Sequence, residues 1–346
     1  MSDPILKVSN VSRRFGGKSD IVARLLARFG LVRPKPVVTA VDDVSFTLER
    51  GRVLGVVGES GCGKSTLGRM IAGLLPPSEG EITLDLGDGE RGAKQGAKHR
   101  AMPMQMIFQD PFSSLNPRKR VRELVGEAPR VHRIVEPGEL QTYVEQLMER
   151  CGIDPSVRDR YAHQFSGGQR QRIGIARALA VEPEILVADE AVSALDVSVQ
   201  AQIINLFLDL RDEFGLTYVF ISHDLGVIEH IADTILVMYL GRVVEHGPAE
   251  EVFARPLHPY TRALMDGVPR LDRRRVIYAP IKGDIPSPIN PPSGCHFHPR
   301  CPFAQPQCRQ ERPETRQVEG RQVACHLAEE IINQKEPSAW QATPSA

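Results

Sequence analysis

The sequence predicts an α/β domain with a mainly parallel sheet, and two observations support this prediction. Apolar runs with the length of buried strands alternate with segments of helical spacing along most of the chain. One such run, Val53–Val57, leads into a glycine-rich loop at 58–66 and then into a segment of helical spacing. A strand, a glycine turn and a helix start bring backbone N–H groups to the positive end of a helix dipole, where an anion binds.

The 346-residue chain has the composition of an ordinary globular protein, with 41% hydrophobic and 25% charged residues. This length predicts about two domains. The formal net charge of zero argues against a protein that binds nucleic acid through bulk charge. The chain has no run of about 18 apolar residues, and its start, Met1–Pro4, does not resemble a signal peptide, so we expect it to stay in the cytosol.

The sequence of the N-terminal region predicts two strands joined by a long connection. Alternating apolar residues predict a half-buried strand over Ile5–Val11, closed by Phe15, and a second strand over Val38–Leu48. Between them, Ile21–Phe29 fits a short amphipathic helix, which either packs on its own domain or contacts lipid headgroups or a partner. We favour packing on the domain, because a single short segment anchors weakly to a membrane.

The loop at 58–66 fits the phosphate-binding pattern G-x-x-x-x-G-K-[ST], and a helix is expected over 66–75. Its glycines let the backbone approach phosphates closely. Lys64 supplies a charge to the β- and γ-phosphates of a nucleotide, and the Ser65 hydroxyl can ligate Mg²⁺. The candidate nucleotide-binding residues of the loop are Gly58, Glu59, Ser60, Gly61, Cys62, Gly63, Lys64, Ser65 and Thr66.

The rest of the α/β pattern follows the loop. We expect an interruption of the helical pattern near Pro129 and Pro137, a loose loop at 87–99, and a helix cap at Ser166. The apolar patterns predict strands at 81–84, 106–108, 185–189, 216–221, 235–239 and 242–245, and helices at 121–151, 170–180 and 197–214.

Two carboxylates, Asp189 and Glu190, follow the apolar run at 185–188. The carboxyl end of a buried strand opens onto the ligand crevice of a parallel sheet. There Asp189 can hold Mg²⁺ through water, and Glu190 can orient and deprotonate an attacking water molecule. Ser166–Gln169, which precedes a helix, forms a second anion site at a helix terminus.

Together and in this order, these motifs resemble the ATP-binding subunits of ABC transporters over about residues 4–265. The resemblance implies a P-loop NTPase core at 1–265, with an antiparallel β subdomain and a helical subdomain at about 112–165. A small C-terminal extension at 266–330 and a disordered tail at 331–346 are expected to follow. The cofactors that the resemblance implies are ATP and Mg²⁺.

The resemblance also implies how such a subunit works. Two subunits sandwich two ATP molecules, and the signature motif of one, here Phe165–Gln169, faces the phosphate loop of the other. Hydrolysis then separates the subunits and changes the access of the attached membrane subunits. The resemblance assigns catalysis to Glu190, His223 and Gln109, Mg²⁺ ligation to Ser65, Gln109 and Asp189, and further nucleotide contacts to Phe15, Ser166, Gly167, Gly168, Gln169 and Asp196.

We therefore expect the chain to lie peripherally on the cytoplasmic face of the inner membrane. The implied partners are two transmembrane permease subunits, a second ABC ATPase subunit in a heterodimer and, indirectly, an extracytoplasmic solute-binding protein. No nucleic acid partner is expected.

Two positions depart from the family pattern. Phe165 stands where Leu is commoner, and this position should pack rather than touch phosphate. Ala191-Val192 replaces the usual Pro-Thr, which leaves the reacting groups untouched but is expected to make the loop less rigid. Since Lys64 and the catalytic residues are intact, we expect an active ATPase. The alternatives are a soluble ABC-type ATPase, and a regulatory subunit that binds ATP without transport.

The C-terminal third narrows the resemblance to the importers of oligopeptides, dipeptides and nickel. His258–Leu264, Pro286–Pro288 and Pro299–Cys301 resemble that branch, as do Gln109–Pro117 and Ser193–Gln200. The resemblance implies import of peptides or related solutes, and it does not identify the cargo.

The C-terminal region also holds four of the six cysteines, Cys295, Cys301, Cys308 and Cys325. In a cytosolic chain, thiols or metal ligands are expected rather than disulfides. The surrounding segment has few long apolar runs, and a metal centre is one way to hold such a segment folded. Four thiolates suit an iron–sulfur cluster or tetrahedral zinc.

The residues leave both metals open. The cysteine spacings are wider than the C-x-x-C pairs of zinc sites, whereas His296, His298 and His326 are available for a mixed zinc site. Resemblance to peptide-importer ATPases implies a [4Fe–4S] cluster, ahead of zinc and of unligated thiols.

Overall fold

A computed structural model describes residues 4–16, 36–86, 103–110, 114–267 and 283–333. The amphipathic segment at 21–29, the loop at 87–99 and the tail after residue 333 lie outside these ranges. Within them, no helix is both long enough and apolar enough to cross a bilayer.

The described strands confirm the predicted α/β class, because the central strands of the larger sheet pair in parallel. The strands are β1 (Pro4–Phe15), β2 (Val38–Glu49), β3 (Val53–Val57), β4 (Glu79–Leu84), β5 (Met104–Ile107), β6 (Ile185–Asp189), β7 (Thr217–Ile221), β8 (Thr234–Tyr239), β9 (Arg242–Pro248), β10 (Arg316–Val318) and β11 (Arg321–Val323). The larger sheet has the order β10-β11-β9-β8-β3-β7-β6-β5, and the smaller antiparallel sheet has the order β2-β1-β4.

Ten helices accompany these strands within the described ranges. They are α1 (Lys64–Ile71), α2 (Val121–His132), α3 (Leu140–Arg150), α4 (Gly167–Leu179), α5 (Val197–Phe214), α6 (Leu225–Ile231), α7 (Ala249–Ala254), α8 (Pro259–Asp266), α9 (Pro306–Gln310) and α10 (Ala328–Asn333). The last of these reaches past residue 331, where the sequence predicted the start of the disordered tail.

The central strands are buried on both faces, as expected for a parallel sheet between layers. In β6, Leu186 and Ala188 pack in the cluster that includes the helical side chains, whereas Ile185 and Val187 pack with α1 and the antiparallel sheet. Because β3, β5, β6 and β7 run parallel, their carboxyl ends lie along one edge of the sheet, and the candidate site lies there.

The helical region differs from the sequence prediction at Pro129. Helix α2 continues through this residue to His132, and the break comes at Arg133, whose φ of 53° is left-handed. The fixed φ of proline is compatible with a helix, and the Pro129 ring is buried in α2. The predicted interruption near Pro129 is therefore wrong, and the chain leaves the helix one turn later.

The C-terminal extension joins the larger sheet through its own hairpin. Gln322 of β11 pairs with His246 of β9, so β10 and β11 lengthen the edge of the sheet. Its apolar residues are spread over several short elements, where they pack with Leu257 in a small buried cluster. The side chains of this cluster are Leu257, Val318, Val323, Cys325, Leu327, Ala328 and Ile331.

Candidate functional site

The phosphate loop between β3 and α1 depends on glycine at two positions. Gly58 has a φ of 151° and Gly63 a φ of 109°. A Cβ atom on Gly58 would lie 2.2 Å from the Met238 carbonyl oxygen, and one on Gly63 would lie 2.1 Å from the Ala40 carbonyl oxygen. Since no side chain fits at either position, the loop backbone packs directly against β8 and β2.

Lys64 lies inside this loop and is 5% exposed. Its Nζ donates to the carbonyl oxygens of Gly58 at 2.7 Å and Glu59 at 3.1 Å. Gly63 precedes α1 and provides no capping side chain, so the first N–H groups of the helix have no capping side-chain acceptor. The loop therefore presents an ammonium group and helix N–H groups to one place, as an anionic phosphate requires.

A candidate Mg²⁺ site lies at the end of β6. The Ser65 hydroxyl donates to Asp189 Oδ1 at 2.8 Å. Burial raises the pKa of Asp189, which is 5% exposed, and the hydrogen bond from Ser65 opposes this shift. A divalent cation between the two oxygens would compensate for the buried negative charge.

Gln109, Glu190 and His223 meet at the carboxyl ends of β5, β6 and β7. Gln109 Nε2 donates to Glu190 Oε2 at 2.6 Å, and His223 Nδ1 lies 3.5 Å from the same oxygen. The Glu190 side chain is only 17% exposed, and its backbone N–H donates to the Ile221 carbonyl oxygen at 2.9 Å. The left-handed φ of Glu190, 51°, turns the chain out of the strand at this point.

These contacts leave Glu190 as a fixed carboxylate with polar neighbours at the edge of the crevice. It can accept a proton from a water molecule that attacks a bound phosphate. His223 is 57% exposed and can turn toward a ligand. The structure thus brings together the three residues that the sequence assigned to catalysis.

The segment that follows Glu190 is anchored despite the replacement of Pro-Thr. Ala191 and Val192 are buried, and the Ser193 hydroxyl donates to the Glu190 carbonyl oxygen at 2.9 Å. Asp196 then occupies the N-cap position of α5 without a side-chain cap bond. The side chain of Asp196 is thus available for contacts outside its own helix.

Ser166 caps α4, as the sequence predicted. Its hydroxyl accepts from the Gln169 N–H at 3.4 Å, and Gln169 Oε1 accepts from the Ser166 N–H at 3.1 Å. Each of these two side chains thus accepts from the backbone N–H of the other residue, within the first turn of α4. Phe165 is 6% exposed and packs in the core, as predicted for this position.

Phe15 ends β1 and is 39% exposed, which is unusual for a large apolar side chain. The Arg13 guanidinium lies 4.9 Å from the centre of its ring. One face of the ring can therefore meet a flat ligand such as a nucleobase.

Phe15→Ala is expected to raise the Kd of ATP about tenfold, because stacking of a base on an aromatic ring contributes about 1–3 kcal/mol. Phe15→Tyr should bind ATP as the parent chain does, since it keeps a ring of the same shape. Titration with a fluorescent ATP analogue measures both values. An alanine variant with lowered thermal stability and unchanged Kd would limit Phe15 to a packing role.

The C-terminal cysteines line one small cavity. Its walls include Cys295, Cys301, Cys308 and Cys325, and they also include His258, His298 and His326. Burial raises the pKa of Cys295, and raises those of Cys301 and Cys325 to about 12. Among the described residues, no group of three or more His, Cys, Asp or Glu side chains is placed to hold a metal ion. The predicted iron–sulfur cluster is therefore not confirmed.

Sequence reasoning missed two residues that touch the phosphate loop. Tyr260 Oη accepts from the Glu59 N–H at 2.8 Å, and Arg300 pairs with the Glu59 carboxylate at 2.6 Å. Tyr260 and Arg300 belong to segments that resemble peptide importers, His258–Leu264 and Pro299–Cys301, but the resemblance does not predict which residues they contact. Of the other loop residues assigned to nucleotide binding, Glu59 pairs its side chain with Arg300, and Cys62 is only 3% exposed.

Comparison with known proteins gives consistent matches. Residues 41–193 match the family model described as ABC transporter, and residues 244–308 match the one described as oligopeptide/dipeptide transporter, C-terminal region. The oligopeptide transport ATP-binding protein AppF of Bacillus subtilis is 46% identical over 333 residues, covering 94% of this chain and 98% of the relative. The dipeptide transport ATP-binding protein DppF of Escherichia coli is 47% identical over 307 residues, covering 88% of this chain and 91% of the relative.

Among solved structures, cbiO1 of Clostridium perfringens, part of the ABC transporter complex cbiONQ, matches with a TM-score of 0.58 and 28% identity. The match covers 73% of this chain and 92% of cbiO1.

Proposed function

The chain belongs to the ATP-binding subunits of ABC transporters, and from this premise we propose that it powers the import of peptides or related solutes. The single observation that supports ATP hydrolysis best is the meeting of Gln109, Glu190 and His223, in which Gln109 donates to Glu190 and His223 Nδ1 lies 3.5 Å from the same carboxylate. Peptide import follows from the named relatives and from the C-terminal region shared with them.

In the proposed cycle, the phosphate loop binds the triphosphate and Lys64 moves from the loop carbonyl oxygens to the β- and γ-phosphates. The side chains of Ser65 and Asp189 would hold Mg²⁺, with Gln109 as a further ligand, and the ion would supply positive charge that offsets the charge of the phosphates. Glu190 then takes a proton from the attacking water, while His223 can contact the γ-phosphate.

Phe15 would stack on the adenine of the same nucleotide. The second half of the site would come from another subunit. Ser166 is exposed and Gly167 and Gly168 are half-buried at the start of α4, so a nucleotide held by a neighbouring subunit could meet the N–H groups there. Gly167, Gly168 and Asp196 would take part in the same interface. We propose a second ATPase subunit in a heterodimer and two membrane permeases as partners, with an extracytoplasmic binding protein delivering the solute. The chain then acts at the cytoplasmic face of the membrane.

Uptake in cells tests this proposal. A strain in which the gene is deleted should lose accumulation of radiolabelled di- and oligopeptides, and the intact gene should restore it. Unchanged uptake of every peptide tested, with ATP hydrolysis by the purified chain retained, would instead favour a soluble ATPase of another kind. ATP binding without hydrolysis would favour a regulatory subunit.

We also propose that the four cysteines that line the small cavity bind a [4Fe–4S] cluster. Their convergence from separate segments onto one cavity supports this proposal. All four thiols are free and form no disulfide. Burial raises the pKa of Cys295, Cys301 and Cys325, so these three stay protonated unless a metal centre offsets the negative charge. A cluster spans more space than one ion and therefore needs thiols set farther apart than a single zinc site does.

Anaerobically purified protein is accordingly expected to be brown, with broad absorption near about 400 nm that Cys301→Ser removes. Cys151→Ala is the matched control, because Cys151 is buried in the core away from the cavity. Iron analysis of both variants gives the stoichiometry. Colourless protein with one equivalent of zinc and no iron would contradict the proposal.

A further inference from the structure

Arg300 of the C-terminal extension reaches the phosphate loop and forms a two-pronged ion pair with Glu59. Its Nη1 donates to Glu59 Oε2 at 2.6 Å and its Nη2 donates to Oε1 at 2.9 Å. The side chain of Arg300 is 5% exposed and that of Glu59 is 20% exposed. Such bidentate, partly desolvated pairs are both strong and geometrically specific.

Aromatic packing fixes the position of Arg300. The Arg300 guanidinium lies 5.9 Å from the centre of the Tyr239 ring, and Nη1 lies 3.4 Å from the Tyr239 hydroxyl. Tyr239 packs against Tyr260 and Phe297, with ring centres 4.6 and 5.3 Å away. Phe297 precedes Arg300 in the same turn, since the Arg300 N–H donates to the Phe297 carbonyl oxygen at 3.0 Å.

Tyr260 is held in turn by a buried hydrogen bond. Burial lowers the pKa of His258 to about 3, so its ring is neutral and Nδ1 accepts from the Tyr260 N–H at 3.0 Å. The Tyr260 hydroxyl then accepts from the Glu59 N–H. Glu59 is thus held at its N–H by Tyr260, at its carbonyl oxygen by Lys64, and at its carboxylate by Arg300.

A carboxylate within a phosphate loop is electrostatically unfavourable, because a bound triphosphate repels it. Arg300 supplies the compensating charge from outside the loop. We propose that Arg300 is a positioning residue of the ATP site, which acts by neutralising Glu59 and holding it away from the triphosphate. This inference rests on the proposed binding of ATP at the loop.

The proposal predicts opposite effects for the two partners of the ion pair. In the full chain, R300Q should raise the Kd of MgATP about tenfold, because the Glu59 carboxylate then faces the phosphates without a counter-charge. E59Q should bind MgATP at least as tightly as the parent chain. The double variant R300Q/E59Q should return to within about threefold of the parent value. R300K should fall between R300Q and the parent chain, because it restores the charge but not the two-pronged geometry.

R312Q is the matched control. Arg312 belongs to the same extension and pairs with Asp43 and Asp42 at 3.1 and 3.7 Å, so its ion-pair partners lie on β2 and not in the phosphate loop. This variant should keep the Kd of the parent chain. R300Q should raise KM for MgATP and leave kcat unchanged. In about 0.5 M salt the increase in KM should be smaller, because salt screens the repulsion between Glu59 and the phosphates.

Several outcomes would overturn the proposal. These are a parent-like Kd for R300Q with a lowered melting temperature alone, an equal loss in R312Q, or additive losses in the double variant. If R300Q does not fold, a raised Kd for E59Q contradicts the proposal by itself. A parent chain that does not bind MgATP would refute the proposed function instead, so the two failures are distinguishable.

Discussion

Glu190→Gln is expected to lower ATP turnover by about 100-fold or more while the Kd of ATP stays near that of the parent chain. General-base catalysis contributes about 10²–10⁴ to a rate, and an amide cannot accept the proton of the attacking water. The amide keeps the shape of Glu190 and can still contact Gln109 and His223, which lie 2.6 and 3.5 Å from Oε2. The ATP-bound pair of subunits should therefore accumulate, as size-exclusion chromatography with MgATP would detect.

Glu229→Gln is the matched control for this substitution. Glu229 is an exposed residue of α6, and its loss should leave turnover unchanged. Turnover near that of the parent chain in Glu190→Gln would rule out Glu190 as the catalytic carboxylate.

Lys64→Ala is expected to weaken ATP binding itself, by about 10–100-fold in Kd. A hydrogen bond to a charged group contributes about 1.5–3 kcal/mol, and the buried Lys64 ammonium is the loop's own cation. The loss also removes the bonds from Nζ to the Gly58 and Glu59 carbonyl oxygens, which hold the loop closed. Isothermal titration with MgATP measures the change.

Lys64→Arg separates charge from shape in the same assay. The guanidinium keeps the charge but is planar and larger than an ammonium group, and position 64 is buried, so it should restore only part of the affinity. Full ATP affinity in Lys64→Ala would show that backbone N–H groups alone bind the phosphates, and it would contradict the role proposed for Lys64.

The sequence alone predicted those parts of the site that depend on local patterns of residues. A strand, a glycine loop and a helix start predicted the phosphate loop because their order follows directly from the chain. Asp189 and Glu190 were found because carboxylates that end an apolar strand stand out. The cap at Ser166 follows from residue type and from the helix that it precedes.

Long-range contacts could not be predicted in the same way. The pair of Arg300 with Glu59 joins residues 241 positions apart, and no local pattern records that distance. Likewise, the edge pairing of β11 with β9 depends on the course of the chain between them. The prediction about Pro129 failed because burial of a proline within α2 outweighs its poor helix propensity.

The most direct test of the central claim measures ATP hydrolysis and peptide uptake in the same liposomes, with this chain assembled on its permeases. If ATP hydrolysis by this chain powers import, peptide delivered by the binding protein should stimulate hydrolysis, and Glu190→Gln should abolish both hydrolysis and uptake. Uptake that continues when Glu190→Gln has stopped hydrolysis would contradict this coupling. Hydrolysis that peptide and permeases do not affect would contradict it as well.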